Sequence, residues 1–461
     1  MARRSDPDLA RLRDSIEQIW EIAQRLGLRP FPTHFELVPA AIMYEFGSYG
    51  MPGRFSHWTH GKLYQTQKTM YDYGLSKIYE LVINTNPCWA FLLESNTVLQ
   101  NEFVVAHVLG HSDFFANNAY YQRTSRRMID TVTLNAERLR RYEYQFGMER
   151  VEQLLDAVIS IEEHVDPFAE TERRERPATP ARRQSAYDDL WEPVMSEDQQ
   201  QSTRLPARDG VPTPCRDLLL FLARESPILE DWERDVVEIV RGEMLYFYPQ
   251  MQTKIINEGW ASYWHVQIMR ELDLSSTDHL EFAALHSSVL QPHPGRLNPY
   301  YLGFTILNDV ERRFNALDGS GRERLFQLRE TECDVSLVRN YLTEELVSDL
   351  DLFYAERRSD ALVITEKQWE AVRDRLVEQI SDFGIPTIHA LDADYNGNRE
   401  LLLRHEWNGR DLDLSYAEKT LEGVEQLWGR KVWLETRENE GNPLLLSYSR
   451  GDGHARRQAA A

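Results

Sequence analysis

Two short polar patterns hold the residue types from which a metal centre is built. The first is Ala106-His107-Val108-Leu109-Gly110-His111. Helix positions four apart project to one side, so His107 and His111 present two imidazoles to a common point. Paired histidines grip zinc or another borderline divalent cation with this spacing. The second pattern is Asn257-Glu258-Gly259-Trp260-Ala261-Ser262-Tyr263-Trp264-His265, where Glu258, Ser262 and His265 share one helical stripe. A carboxylate facing two imidazoles across a helical interior completes a three-ligand site. His107, His111 and Glu258 are therefore the expected metal ligands. His265, Ser262 and Asn118 are expected as a fourth ligand or as groups orienting the other three. The competing role for these residues is structural, as buried histidines and carboxylates whose hydrogen bonds order a core.

Further polar residues could handle a substrate. Gln291-Pro292-His293-Pro294-Gly295-Arg296-Leu297-Asn298-Pro299-Tyr300-Tyr301 is a proline-stiffened loop that stops any helix. Its His293, Arg296, Asn298 and Tyr300 are donors suited to an anionic or amide-rich ligand, although a rigid crossover would use the same sequence. His57, within Arg54-Phe55-Ser56-His57-Trp58, could line the mouth of a site, with His60 beside it. Glu94, Glu102 and Asp113 read as caps or surface groups, and His164 as a helix-end cap before Pro167.

The two ligand segments together resemble the ligand helices of the glutamate-type zincins (gluzincins). In those, an HExxH helix supplies two histidines and a base, and a downstream Asn-Glu helix supplies the third ligand. The resemblance implies a zincin-like body and zinc as the divalent metal. Two departures matter. Position 108 is Val where that pattern places its general base, and 147 residues separate His111 from Glu258. Water activation as in those peptidases has lost its base, so the catalytic residues stay unassigned unless a base comes from elsewhere.

The elements that must position these groups read as mostly helical. Helical spacing covers Pro7 to Arg25, residues 63 to 80, Leu99 to Asn118 and residues 127 to 164. Pro30 to Lys62 reads as a loop-rich patch and Leu81 to Pro87 as a short extended segment. Helical spacing resumes from Arg216 to about Tyr341, clearest over Glu233–Phe247 and Thr253–Glu271. Short β-rich runs then alternate with the helical stretches Glu366–Phe383 and Tyr416–Leu427. The expected class is α+β, a large, mainly α-helical, zincin-like (degenerate gluzincin) body with a smaller C-terminal α+β domain.

The expected division is 1–166 carrying the His helix, 167–214 an exposed linker or insert, and 215–346 carrying the Asn-Glu-Gly-Trp helix and packed on the first part as one domain. A small α+β domain over 347–450 and a frayed tail over 451–461 follow. Length and composition agree with a multi-part globular chain: 461 residues, 42% of them hydrophobic. Acidic residues outnumber basic ones, 74 to 52, which repels phosphate backbones and anionic lipid; no nucleic-acid partner is expected. Three scattered cysteines form no disulfide framework, and no apolar run approaches a membrane span, so a cytoplasmic location is expected.

Read over nearly its whole length, the sequence resembles the stage V sporulation protein R (SpoVR-like) family. The resemblance is carried by Arg54-Phe-Ser-His-Trp58, Glu94-Ser-Asn96, Ala106 to Asn118, Asn257 to His265 and Gln291 to Tyr301, in that order. Ser56 stands where that family is expected to have Pro. The resemblance implies a role in spore cortex formation or a general stress or cell-envelope response. It also implies partners in a PrkA-type serine protein kinase and a von Willebrand factor A-like protein, and brings no established catalytic residue. Two functions follow as expectations: a metal-dependent hydrolase-like protein, or a non-catalytic regulatory or scaffold partner of the kinase system keeping a relic site.

Overall fold

The computed structural model describes residues 6–73, 80–169, 211, 213–292, 297–358, 361–439 and 441–458. The insert expected over 167–214 lies almost wholly outside them, as do His293 and Arg296. The chain opens with α1 (Asp6–Arg25), β1 (Thr33–Val38), α2 (Ala40–Tyr49), α3 (Trp58–Asp72), β2 (Glu80–Ile83) and β3 (Cys88–Leu93). Then come α4 (Val98–Asn117), α5 (Met128–Phe146), α6 (Met148–Ile159), α7 (Leu218–Glu225) and α8 (Asp231–Gln252). Next are α9 (Lys254–Met269), α10 (Ser276–Leu290), α11 (Pro299–Leu317), α12 (Gly321–Thr331), α13 (Asp334–Tyr341) and α14 (Glu344–Asp349). The remainder is β4 (Tyr354–Arg358), β5 (Ala361–Glu366), α15 (Trp369–Ser381), β6 (Ile388–Tyr395), β7 (Glu400–His405), α16 (Leu414–Trp428), β8 (Val432–Glu438), β9 (Asn442–Ser449) and β10 (Gly453–Gln458). The fold is mixed α+β, a large helical body with a C-terminal sheet domain.

These elements form two units: Met1–Gly147 with Tyr246–Ile385, and Met148–Leu245 with Pro386–Ala461. Each joins two stretches far apart in sequence.

In the first unit α4 is the central helix. It is apolar nearly all round, with Leu99, Phe103, Val104, Val105, Val108, Leu109, Phe114 and Phe115 all buried, as expected of a helix surrounded on every side. Thr97 starts it with a capping box, its hydroxyl accepting from Gln100 N while the Gln100 side chain accepts from Thr97 N. Glu102 and Asp113 of α4, expected as caps or surface groups, are instead buried against partners, because α4 is surrounded on every side. Glu102 accepts from Ser15 Oγ at 2.6 Å. Asp113 pairs with Arg329 Nη1 at 2.9 Å and accepts from Trp260 Nε1 at 2.9 Å.

Glycines set how closely α4, α9 and α11 approach. A Cβ at Gly110 would lie 2.7 Å from Ala261 Cα, and one at Gly259 would lie 2.4 Å from the Gly303 carbonyl carbon. Asp334 holds the start of α9, its carboxylate accepting from Ile255 N and Ile256 N at 2.9 Å each. The small sheet has order β1-β3-β2, with β1 parallel and β2 antiparallel to β3. Glu80, the first residue of β2, pairs with Leu92 near the end of β3 from which the chain turns into α4.

The second unit holds a five-stranded sheet of order β10-β9-β8-β7-β6. β7 and β8 are parallel and joined through α16, while the other neighbours are antiparallel. Buried Asp217 caps α7 through Leu220 N and pairs with Arg241 at 2.8 Å.

Three expectations are corrected. The helix expected over 63–80 ends at Asp72 in α3, and Glu80 is a strand residue. The loop-rich patch over 30–62 contains β1, α2 and the start of α3; β1 alternates between half-buried and exposed, too weak a contrast to read from composition. The frayed tail contains β10, which pairs antiparallel with β9. An edge strand held by backbone hydrogen bonds needs no apolar face.

Candidate metal centre

Helix α4 delivers His107 and His111 to the same side, both buried, with ring centroids 4.7 Å apart. Helix α9 brings Glu258 to them across the Gly110–Ala261 contact. Glu258 Oε2 lies 3.4 Å from His111 Nε2 and 3.8 Å from His107 Nε2. A second carboxylate arrives from β2: Glu80 Oε1 lies 3.4 Å from His107 Nε2 and 3.6 Å from His111 Nε2. Glu80, His107 and His111 each offer a ligand atom within 4.8 Å of the other two. The remaining oxygen Oε2 of Glu80 is enclosed and meets no hydrogen-bond donor among the described residues.

These separations fit a shared cation better than direct pairing. Hydrogen bonds between nitrogen and oxygen cluster near ~2.9 Å. Donors bound tetrahedrally at ~2.1 Å stand about 3.4 Å apart. The far nitrogens of both imidazoles are held as in metal sites. His111 Nδ1 lies 2.9 Å from Asn257 Oδ1, which can only accept, so Nδ1 carries a proton and Nε2 is the nitrogen that faces the carboxylates. His107 Nδ1 lies 2.9 Å from His265 Nδ1.

Neighbours in the cluster also shift the protonation of Glu258, His111 and Tyr300. Burial alone would raise the Glu258 carboxyl, but the His107 and His111 imidazoles override it and hold it well below its ordinary range. Burial opposes charge on His111, yet Glu258 and Glu80 push it up to about 10. Burial, with the charges of Glu258 and Glu80, drives the Tyr300 phenol far upward and keeps its O–H as a donor. Tyr300 is on the first turn of α11, its ring stacked on His107 at 6.1 Å.

The other expected site residues divide. His265 is fully buried and touches His107, as an orienting group would. Ser262, also fully buried, has a hydroxyl with no hydrogen-bond partner among the described residues. Asn118 ties α4 to the end of α12, donating to Arg329 O at 2.8 Å and Glu332 O at 3.0 Å. His57 is the N-cap of α3 and packs against Trp58 and His60. Asn298 caps α11 and donates to Val289 O and Gln291 O. Glu80, Asn257 and His286 join the site without being among the expected residues. Glu80 opens a four-residue strand whose pairing, not its local pattern, carries it to the histidines. Asn257 precedes Glu258 and was legible as its neighbour in the same motif.

Comparisons with known proteins give the family. The family model described as SpoVR like protein matches residues 6–385, and that described as SpoVR-like C-terminal domain matches residues 386–439. The chain is 30% identical over 475 aligned residues to the Escherichia coli (strain K12) protein named "Uncharacterized protein YcgB". That alignment covers 94% of this chain and 92% of the relative. No solved structure matches. With both of its parts matched in order by those two models, the chain belongs to the SpoVR family.

Proposed function

We propose that this protein is a metal-dependent, hydrolase-like enzyme on a degenerate gluzincin body, with a zinc-class divalent cation held by His107, His111 and Glu258. The single observation carrying this is that the Nε2 atoms of His107 and His111 each stand 3.4 to 3.8 Å from a carboxylate oxygen of Glu258 and of Glu80, too far for any of the four pairs to be a good direct hydrogen bond. Buried carboxylates are costly unless paired with cations, and a dication meets that need with the imidazoles neutral.

When bound, such an ion supplies Lewis acidity toward a carbonyl or related oxygen. The chain's own residues supply the rest. Tyr300, its ring stacked on His107 and its phenol kept protonated by burial beside Glu258 and Glu80, can donate to a developing oxyanion. Glu80, facing both histidines from β2, takes the place of the base that position 108 lacks and holds the proton released by an attacking water. Val108 is fully buried in the core and takes no part. That burial is also what favours the second reading, a non-catalytic partner of a serine protein kinase system whose metal site is a relic.

Metal analysis of the purified full chain tests the proposal. About one equivalent of zinc, iron or manganese is expected, lost in His107→Ala, His111→Ala and Glu258→Ala and kept in Glu80→Gln. Wild-type protein that stays metal-free after incubation with each ion would sink it. Loss of metal in Glu80→Gln would instead make Glu80 a ligand and remove the proposed base.

A further inference from the structure

Beyond His107 a line of imidazoles continues away from the cluster. His107 Nδ1 faces His265 Nδ1 at 2.9 Å, and His265 Nε2 faces His286 Nδ1 at 2.8 Å. The rings come from three helices, α4, α9 and α10. Phenylalanines enclose them. Phe103 lies 4.5 Å from the His265 ring and Phe304 lies 5.2 Å from His286, while Phe282 stacks on His286 at 6.1 Å. His265 is fully buried, and both of its ring nitrogens face another imidazole.

We propose that His265 and His286 are positioning residues that lock His107 in the tautomer whose Nε2 lone pair faces the ligand cluster. The proposal rests on the metal reading above and adds to it the orienting chain. Its logic is proton counting. A hydrogen bond between two imidazole nitrogens holds one proton, and a neutral imidazole carries one in all. With His107 Nε2 turned to a cation, its proton sits on Nδ1 and is donated to His265 Nδ1. The His265 proton must then be on Nε2 and is donated to His286 Nδ1, which leaves the His286 proton on Nε2. Every step follows from the one before it. The reversed chain would put a proton on His107 Nε2 and close that nitrogen to a cation. His286, which touches none of the proposed ligands by a hydrogen bond, thus closes the chain: by accepting from His265 Nε2 it leaves His265 Nδ1 free to accept the His107 proton.

The test measures Zn²⁺ and Co²⁺ affinity of the full chain by competition with a chelator, beside the thermal unfolding midpoint of the metal-free protein. His286→Phe keeps a ring among the phenylalanines but removes the acceptor; His286→Asn keeps an acceptor near the Nδ1 position. Expected is about tenfold weaker binding in His286→Phe and recovery to within about threefold of wild type in His286→Asn, with similar metal-free midpoints. His286→Phe binding as tightly as wild type, while His107→Ala binds no metal, would overturn the chain and leave the metal site standing. Wild-type protein binding neither ion would remove both. Should the variants fail to fold, ¹⁵N-histidine spectra of the zinc-loaded wild type decide directly. Protons on His107 Nδ1, His265 Nε2 and His286 Nε2 support the lock, and the opposite set overturns it.

Discussion

Asp113 shows how one α4 residue can be structural although it lies two positions past His111. Its carboxylate is fully buried, accepts from Arg29 N and Trp260 Nε1, and pairs with Arg329 on α12. Arg329 in turn lies over the rings of Trp260 and Phe326. An uncompensated buried charge is costly, so Asp113→Ala should lower unfolding stability by roughly 3–5 kcal/mol, measured by chemical denaturation. The double change Asp113→Ala with Arg329→Met should recover part of that loss. A loss under about 1 kcal/mol for the single change would show that the pair does not hold α4 against α12.

The approach of α4 to α9 decides whether the two halves of the cluster meet. Gly110 lies between His107 and His111, where a side chain would collide with the backbone of α9 at Ala261. Gly110→Ala should push the helices apart and cost about 1–3 kcal/mol of stability. Because His107 and His111 ride on one helix and Glu258 on the other, the same change should also weaken metal retention. Equilibrium unfolding and metal content of this variant check both effects, and unchanged values for both would show that the contact yields without moving the ligands. Thr97 works at the same scale, and Thr97→Ala should cost about 1 kcal/mol in equilibrium denaturation through loss of the cap that starts α4.

Across the molecule, each unit carries a histidine held neutral by its surroundings. Burial first, then Arg54 and His57, lowers His60 to about 4 in the first unit. Burial and Arg216 do the same to His164 in the second. In the unfolded chain both take up a proton near ~6.5. A folded value depressed below the unfolded one means that the unfolded state binds protons more readily between those two values, so stability falls as pH drops from about 6.5 to about 4. Thermal unfolding followed over that range should show falling midpoints, with the fall reduced in His60→Gln and His164→Gln. A flat profile would show that the charged forms are accommodated. No helix among the described residues is long and apolar enough to cross a membrane.

The helices bearing His107, His111, Glu258 and His265 were legible in the amino-acid order, because helical spacing and a stripe of polar residues are local properties that need no partner to be seen. The C-terminal alternation of strands with two helices was legible for the same reason. Glu80 and His286 were not legible as site residues. Glu80 reaches the histidines only through the antiparallel register of β2 on β3, and His286 only through the packing of α10 against α4. Neither relation leaves a mark at fixed spacing along the chain, since strand register and helix contact are settled by which distant surfaces pack together. Local order thus determined which side chains face one way, and the tertiary structure alone decided what they face.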